Sequence, residues 1–203
     1  MNTAKTIASE KRSVWIIAKA VRVITIAPVM AAILFTVLFF KKDLSVSTWD
    51  YIAALAFICL LPVTAYPLQR FLPPFRDRGR DGQRALAFVM CNAGYVLGAV
   101  YAFAFTDSRA IFTLFFTYLM SGAVLLIVNK LVGFKASGHA CGIAGPVAAL
   151  AYFGGSAFLW AGGALFFGAL WASLYMKRHT VLQFLIGALI PVLAFFILVA
   201  LVY

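Results

Sequence analysis

Seven apolar runs, separated by short polar stretches, constrain the fold of this chain more than any other feature of its sequence. They cover residues 23–40, 49–66, 85–105, 110–128, 140–153, 157–176 and 180–203. All but one are long enough for an α-helix to cross the apolar part of a bilayer. Because 65% of the 203 residues are hydrophobic, a soluble fold could not bury them all. The sequence therefore predicts an all-α, polytopic transmembrane bundle of about six to seven spans.

The first 22 residues have a different character, because basic side chains alternate there with apolar ones. Lys19 and Arg22, for example, stand near Trp15, a pattern typical of an amphipathic helix at a membrane surface. A cleaved signal peptide is the rival interpretation, but the following apolar run is too long and lacks a clean cleavage site. We expect a basic amphipathic N-terminal segment at 1–22 and a single transmembrane helical domain at 23–203.

The formal charge of +11 is concentrated between the apolar runs. In a soluble protein such a charge would indicate nucleic acid; in a membrane protein it reflects topology and attraction to anionic headgroups or substrates. The expected partners are therefore membrane lipid and an anionic lipid, and not nucleic acid. Cys59, Cys91 and Cys141 lie within apolar runs without metal-ligand spacing, so we expect them in the core.

The chain contains two histidines, and each follows basic residues in a short stretch between two apolar runs. His139 ends the stretch 135–139 (KASGH), and His179 lies in 177–180 (KRHT). A cation, a hydroxyl group and the free N–H groups at the start of a helix together suit an oxyanion such as phosphate. If the spans alternate in direction, both histidines face one side of the membrane, beside the arginine-rich stretch 67–84.

The apolar run at 140–153 is shorter than the others and contains Gly142, Gly145 and Pro146. A short helix rich in small residues packs better inside a bundle than against lipid. We expect this helix to be surrounded by the other spans.

Two of these stretches resemble signatures of the type-2 phosphatidic acid phosphatase superfamily. Residues 137–139 (SGH) are similar to its second signature, P-S-G-H, and 178–180 (RHT) to the histidine region of its third, S-R-x5-H-x3-D. The stretch 78–84 stands where the first signature, K-x6-R-P, belongs. The resemblance covers about 70–190, which would form a phosphatase-like core, and order and spacing match better than the residues do.

The resemblance implies a phosphatase that hydrolyses a lipid phosphate or diphosphate monoester through a phosphohistidine. His179 would be the nucleophile, and His139 would protonate the leaving oxygen. Gln183 would orient His179 in place of the aspartate of the signature. The residues implied as ligands of the phosphoryl oxygens are Lys135, Ser137, Gly138, Arg84, Arg78 and Arg178.

The residue types support this chemistry independently. Phosphoryl transfer mainly needs positioned positive charge, and a neutral imidazole can attack while a second one donates a proton. Near the histidines there is no carboxylate pair, and Asp77 and Asp81 lack a neighbouring histidine or glutamate. We therefore expect a site that uses neither a metal nor another cofactor.

Three positions depart from the signatures: Ala136 replaces the proline, Ser173 the arginine and Gln183 the aspartate. Loss of the arginine removes a bidentate phosphate ligand, which a residue of the loop 76–80 could replace. Glutamine can accept the imidazole N–H but cannot stabilise an imidazolium by charge. These departures leave an alternative open, namely a non-catalytic protein of the same fold that binds or transports an anionic lipid.

The distribution of positive charge predicts the orientation. On the alternating arrangement, fourteen of the 17 lysines and arginines lie on the side of the histidines. The positive-inside rule then places the site on the cytoplasmic side. Many members of the resembled superfamily face the opposite way, so this expectation does not follow from the resemblance. Because the resembled branch looks bacterial, we expect the membrane to be a bacterial inner membrane.

Overall fold

The computed structural model describes the backbone of residues 2–203 and the side chains of residues 12–203. Within this part of the chain every regular element is helical. The helices are α1 (Asn2–Ile24), α2 (Ala27–Phe39), α3 (Thr48–Phe71), α4 (Pro73–Arg76), α5 (Gly79–Phe105), α6 (Arg109–Lys130), α7 (Gly138–Gly154), α8 (Ala157–Tyr175) and α9 (Val181–Val202). The side chains of residues 1–11, half of the predicted basic segment, lie outside the described residues.

Among the described residues, five helices are long and apolar enough to cross a membrane, namely α3, α5, α6, α8 and α9. A sixth span results if α1 from Arg12 onward and α2 are counted together, although they are bent by 48°. The all-helical membrane bundle expected from the sequence is thereby confirmed. The short run predicted at 140–153 corresponds to α7, whose 17 residues fall short of this length.

The first predicted span, at 23–40, begins with a break in the helix. The chain breaks between α1 and α2, where Ile26 has an extended backbone and Pro28 occupies the first turn of α2. Proline lacks an N–H and clashes with a preceding helical turn, so it favours a helix start at this point. α1 packs against α8 with Ala18 completely buried, and the N-terminal segment is therefore part of the bundle as far as it is described.

α7 lies at the centre of the bundle, in contact with α2, α8 and α9. A Cβ added to Gly142 would lie 2.4 Å from the Ala27 Cβ, and one added to Gly145 would lie 3.1 Å from Pro191. Small residues therefore let α2 and α9 approach α7 closely. The expectation of a short helix packed inside the bundle is confirmed.

Contacts at the two ends of α7 show which ends of the helices meet. At its C-terminal end, Lys41 Nζ donates a hydrogen bond to the Phe153 carbonyl over 2.7 Å. At its N-terminal end, His139 contacts Thr25, which precedes α2. α2 and α7 thus run between the same two ends of the bundle, and His139 lies at the end where α2 begins.

The loop before α7 is held against the first turns of α9. The Ser137 N–H donates to the Gln183 carbonyl over 2.9 Å. A Cβ added to Gly187 would lie 2.3 Å from the Ser137 carbonyl oxygen, so only glycine allows the two backbones to come this close. This contact places the N-termini of α7 and α9, each carrying one histidine, side by side.

We predict that Gly187→Ala lowers the free energy of unfolding by about 1–3 kcal/mol, because its methyl group overlaps fixed backbone atoms. The matched control is Gly163→Ala in α8, where an added Cβ meets nothing within 4 Å. This control is expected to be neutral or to stabilise by up to about 1 kcal/mol. Thermal unfolding of the purified proteins in detergent measures both, and wild-type stability in Gly187→Ala would contradict the close contact.

Candidate functional site

Both histidines lie next to helix N-termini whose caps are formed locally. The Ser137 hydroxyl accepts the Ala140 N–H over 3.2 Å, which places His139 in the first turn of α7. The Thr180 hydroxyl accepts the Gln183 N–H over 3.3 Å, so His179 immediately precedes the cap of α9. Capping polar residues fix where each helix begins, and with it the position of each histidine.

A threonine of the chain break orients the His139 ring. Thr25 Oγ1 lies 3.1 Å from His139 Nε2, and its own hydrogen is donated to the Val21 carbonyl over 2.7 Å. Because a hydroxyl group has one hydrogen, the Thr25 oxygen acts as acceptor, and Nε2 carries the proton. Sequence reasoning missed Thr25, since no spacing pattern links residues so far apart in the chain.

Arg22 of α1 is the second site residue that sequence reasoning missed. Its Nη1 donates to the Ser173 hydroxyl oxygen over 2.5 Å, although Ser173 lies in α8. Both histidines lie within electrostatic range of its guanidinium, and so do Arg84 and Arg178. In the sequence this arginine resembled the other basic residues of an amphipathic segment, and nothing distinguished it from a topology signal.

The half-buried ring of His179 is adapted to remain neutral. Burial lowers its pKa, and the positive charges of Arg22 and Arg84 lower it further. The Gln183 side chain and the Lys135 backbone oppose part of this shift, but neither completes a hydrogen bond to the buried Nδ1. The net lowering of the pKa favours the neutral ring, in which one nitrogen keeps the lone pair that a nucleophile requires.

Gln183 has a structural role in addition to the predicted contact with His179. Its side-chain oxygen accepts the Thr180 N–H over 3.1 Å and so completes a reciprocal capping box at the start of α9. The same side chain is close enough to His179 to raise the pKa of the ring. Gln183 thus links the position of the imidazole to the start of the helix.

The other predicted ligands differ in where they lie. Arg84, in the second turn of α5, and Arg178 are exposed and lie near Arg22, and the exposed Lys135 reaches His179 through its backbone. Arg78 lies in the turn before α5 and, among the described contacts, none joins it to a histidine. Ser137 is completely buried in its cap, whereas Gly138 is exposed.

A cavity of about 360 Å³ opens beside these groups, between α2, α3, α5, α6 and α7. Gly138, His139 and Arg84 line one part of it. The remaining walls are largely apolar, with Val63, Leu114 and further aliphatic and aromatic side chains. The arrangement therefore joins a positively charged mouth to an apolar interior.

Positive charge dominates the surroundings of the two histidines, and one of the arginines, Arg84, also lines the cavity. Among the described residues no carboxylate forms an ion pair with Arg22, Arg84 or Arg178, and the single ion pair found joins Arg76 to Asp77 at 3.1 Å. In the same part of the chain, no three His, Cys, Asp or Glu side chains form a group that could hold a metal ion. Three guanidinium groups that repel one another are stabilised when an anion lies between them.

Comparison of the chain with protein-family models, with curated proteins and with solved structures gives no match. The functional argument therefore rests on the residues and on their arrangement.

Proposed function

We propose that this protein is a membrane-embedded phosphatase that hydrolyses a lipid phosphate or diphosphate monoester through a phosphohistidine, in the manner of the resembled phosphatidic acid phosphatases. One observation carries the proposal. Two histidines from distant parts of the chain lie within electrostatic range of the same guanidinium group, Arg22, and His139 and Arg84 also line an apolar cavity. Two histidines without the guanidinium groups, or the guanidinium groups without the histidines, would support anion binding but not hydrolysis.

The charges favour a phosphate monoester as the ligand. Its negative charge is spread over three oxygens, which Arg22, Arg84 and Arg178 surround better than a single cation would. The same groups stabilise the charge that develops during phosphoryl transfer, and they need no reorganisation to do so.

The proposed reaction has two steps. A nitrogen of neutral His179 attacks phosphorus, the bond from phosphorus to the lipid oxygen breaks, and His139 gives its proton to that oxygen. Burial and the positive charge of Arg22 lower the pKa of His139 to about 3, and the negative charge of the bound substrate opposes this shift and favours the protonated form before this step. Water then attacks the phosphohistidine, His139 takes a proton from that water, and inorganic phosphate leaves with His179 restored.

Arg22 contacts Ser173, the position where the sequence departs most from the resembled signatures. Ser173 stands where the third signature has arginine, and the guanidinium of Arg22 contacts the Ser173 hydroxyl. We propose that Arg22, from another helix, supplies the phosphate ligand that the signature lacks here. The expectation that residues 76–80 supply it is less favoured, because Arg76 is engaged by Asp77 at the surface.

The apolar cavity supports a lipid as the substrate. A soluble phosphate ester would leave apolar walls such as those formed by Val63, Phe88 and Leu114 without a partner, whereas a hydrocarbon chain would fill them. The exposed rim at Arg84 would keep the phosphate near the polar headgroups of the bilayer.

We predict that His179→Ala abolishes phosphate release from lipid phosphates and that His139→Ala reduces it severely, while both variants remain folded. Their matched control is Lys130→Ala, an exposed basic residue at the end of α6, which is expected to retain activity. Wild-type release is expected to survive EDTA. The measurement is inorganic phosphate released from a panel of lipid phosphates by purified protein, with and without chelator.

Near wild-type release by either histidine variant would show that the chemistry is assigned wrongly. Reactivation of chelator-treated protein by Mg²⁺ or Zn²⁺ would contradict a metal-independent site. Tight lipid binding without any phosphate release would favour the alternative, a non-catalytic lipid-binding or transport protein.

A second prediction concerns the relocated arginine. Arg22→Ser is expected to lower kcat/KM by about 100-fold, the usual effect of removing one charged transition-state ligand. Adding Ser173→Arg to this variant is expected to restore part of the loss. The double variant carries its arginine at residue 173, where the third signature has it. Arg12→Ser, an exposed change in the same helix, is the control. Equal activity of the single and double variants would contradict the proposed exchange.

We propose further that the site faces the cytoplasm, on the charge distribution alone. Asp43 and Asp77 are exposed and lie at opposite ends of α3, so their cysteine variants carry the same change of charge. In a background without native cysteines, a membrane-impermeant thiol reagent is expected to label Asp43→Cys but not Asp77→Cys on intact cells. The opposite pattern would place the site outside.

A further inference from the structure

Two hydroxyl groups in the wall of the apolar cavity make no hydrogen bond to the described residues. Ser121 and Tyr118 of α6 both line the cavity, and their oxygen atoms are buried without a hydrogen-bond partner among the described residues. Ser121 is 4% exposed. A buried hydroxyl without a partner destabilises a protein, and polar groups inside a membrane bundle usually bind a ligand or one another.

The position of the two hydroxyls along α6 relates them to the phosphate. Leu125 lies level with the mouth, because a Cβ added to Gly138 would be 3.5 Å from Leu125 Cδ2. Ser121 and Tyr118 precede Leu125 by one and two helical turns, which places them about 6 and 10 Å deeper along the helix axis. Being three residues apart, they face the same side of the helix.

A glycerolipid phosphate carries a hydrogen-bond acceptor at this depth. Its ester carbonyls lie within a few bonds of the phosphate, at the point where the polar headgroup ends and the acyl chains begin. A polyprenyl phosphate has only hydrocarbon there and would leave both hydroxyls unpaired. The chemistry of the cavity therefore discriminates between two classes of lipid phosphate.

We propose that Ser121 and Tyr118 donate hydrogen bonds to an ester carbonyl of the lipid and so select acyl-glycerol phosphates. The inference rests on the proposed function for the identity of the headgroup. It concerns recognition alone, and the bond that is hydrolysed stays the one between phosphorus and the lipid oxygen.

The test compares a diacylglycerol phosphate with its dialkyl ether analogue of equal chain length, which lacks the carbonyls. The wild-type protein is expected to prefer the ester by about three- to tenfold in kcat/KM, the effect of one or two hydrogen bonds. Ser121→Ala and Tyr118→Phe are expected to lower the value for the ester and to leave the value for the ether unchanged.

Thr113→Val is the matched control. Its hydroxyl is also buried and unpartnered on α6, but it does not line the cavity. This variant removes the same structural defect and is expected to keep the ester preference. Equal losses on ester and ether, or loss of the preference in Thr113→Val as well, would overturn the proposal.

Binding separates this proposal from the proposed function. The dissociation constants of the ester and ether lipids for the His179→Ala variant, followed by thermal stabilisation in detergent, report the preference without turnover. An ester preference that Ser121→Ala removes, together with no phosphate release by the wild-type protein, would support the carbonyl contact and refute the phosphatase. Equal dissociation constants for both lipids, together with phosphate release by the wild-type protein, would refute the carbonyl contact and support the phosphatase.

Discussion

The backbone contact between Ser137 and the first turns of α9 supports the rest of the site. The loop before α7 gives its Ser137 N–H to the Gln183 carbonyl, and Gly187 lets the chains approach until no side chain fits between them. The two histidines lie just before or just inside these helix starts. Their relative position is thus set by rigid backbone and not by flexible side chains, and a reaction that needs in-line geometry benefits from this.

The break between α1 and α2 brings a second part of the chain to the same place. Thr25 orients the ring of His139 from this break, and Arg22 reaches Ser173 from the last turn of α1. A helix that continued straight from α1 into α2 would carry both side chains elsewhere. The bend at Pro28 therefore has a consequence for the site, because it allows one short segment to contact both α7 and α8.

Positive charge and apolar surface are combined in one cavity. The guanidinium groups of Arg22, Arg84 and Arg178 repel one another, and the partial burial of Arg22 makes its share of this repulsion more costly than it would be in water. An anion relieves it, while the apolar walls exclude water and favour hydrocarbon. Each half of the cavity is unfavourable without its ligand, and a lipid phosphate would satisfy both.

The sequence by itself determined the helical membrane bundle, the buried position of the helix at 140–153 and the two histidine stretches, because hydropathy and helix starts are local properties. It did not reveal Arg22 or Thr25, which act on residues more than a hundred positions away. Only the tertiary structure decided that the chain bends at the start of the first predicted span and that an arginine from α1 lies beside Ser173. The physical reason is that a cluster of like charges depends on which helices pack together, and the sequence pattern of a single helix does not show which helices it contacts.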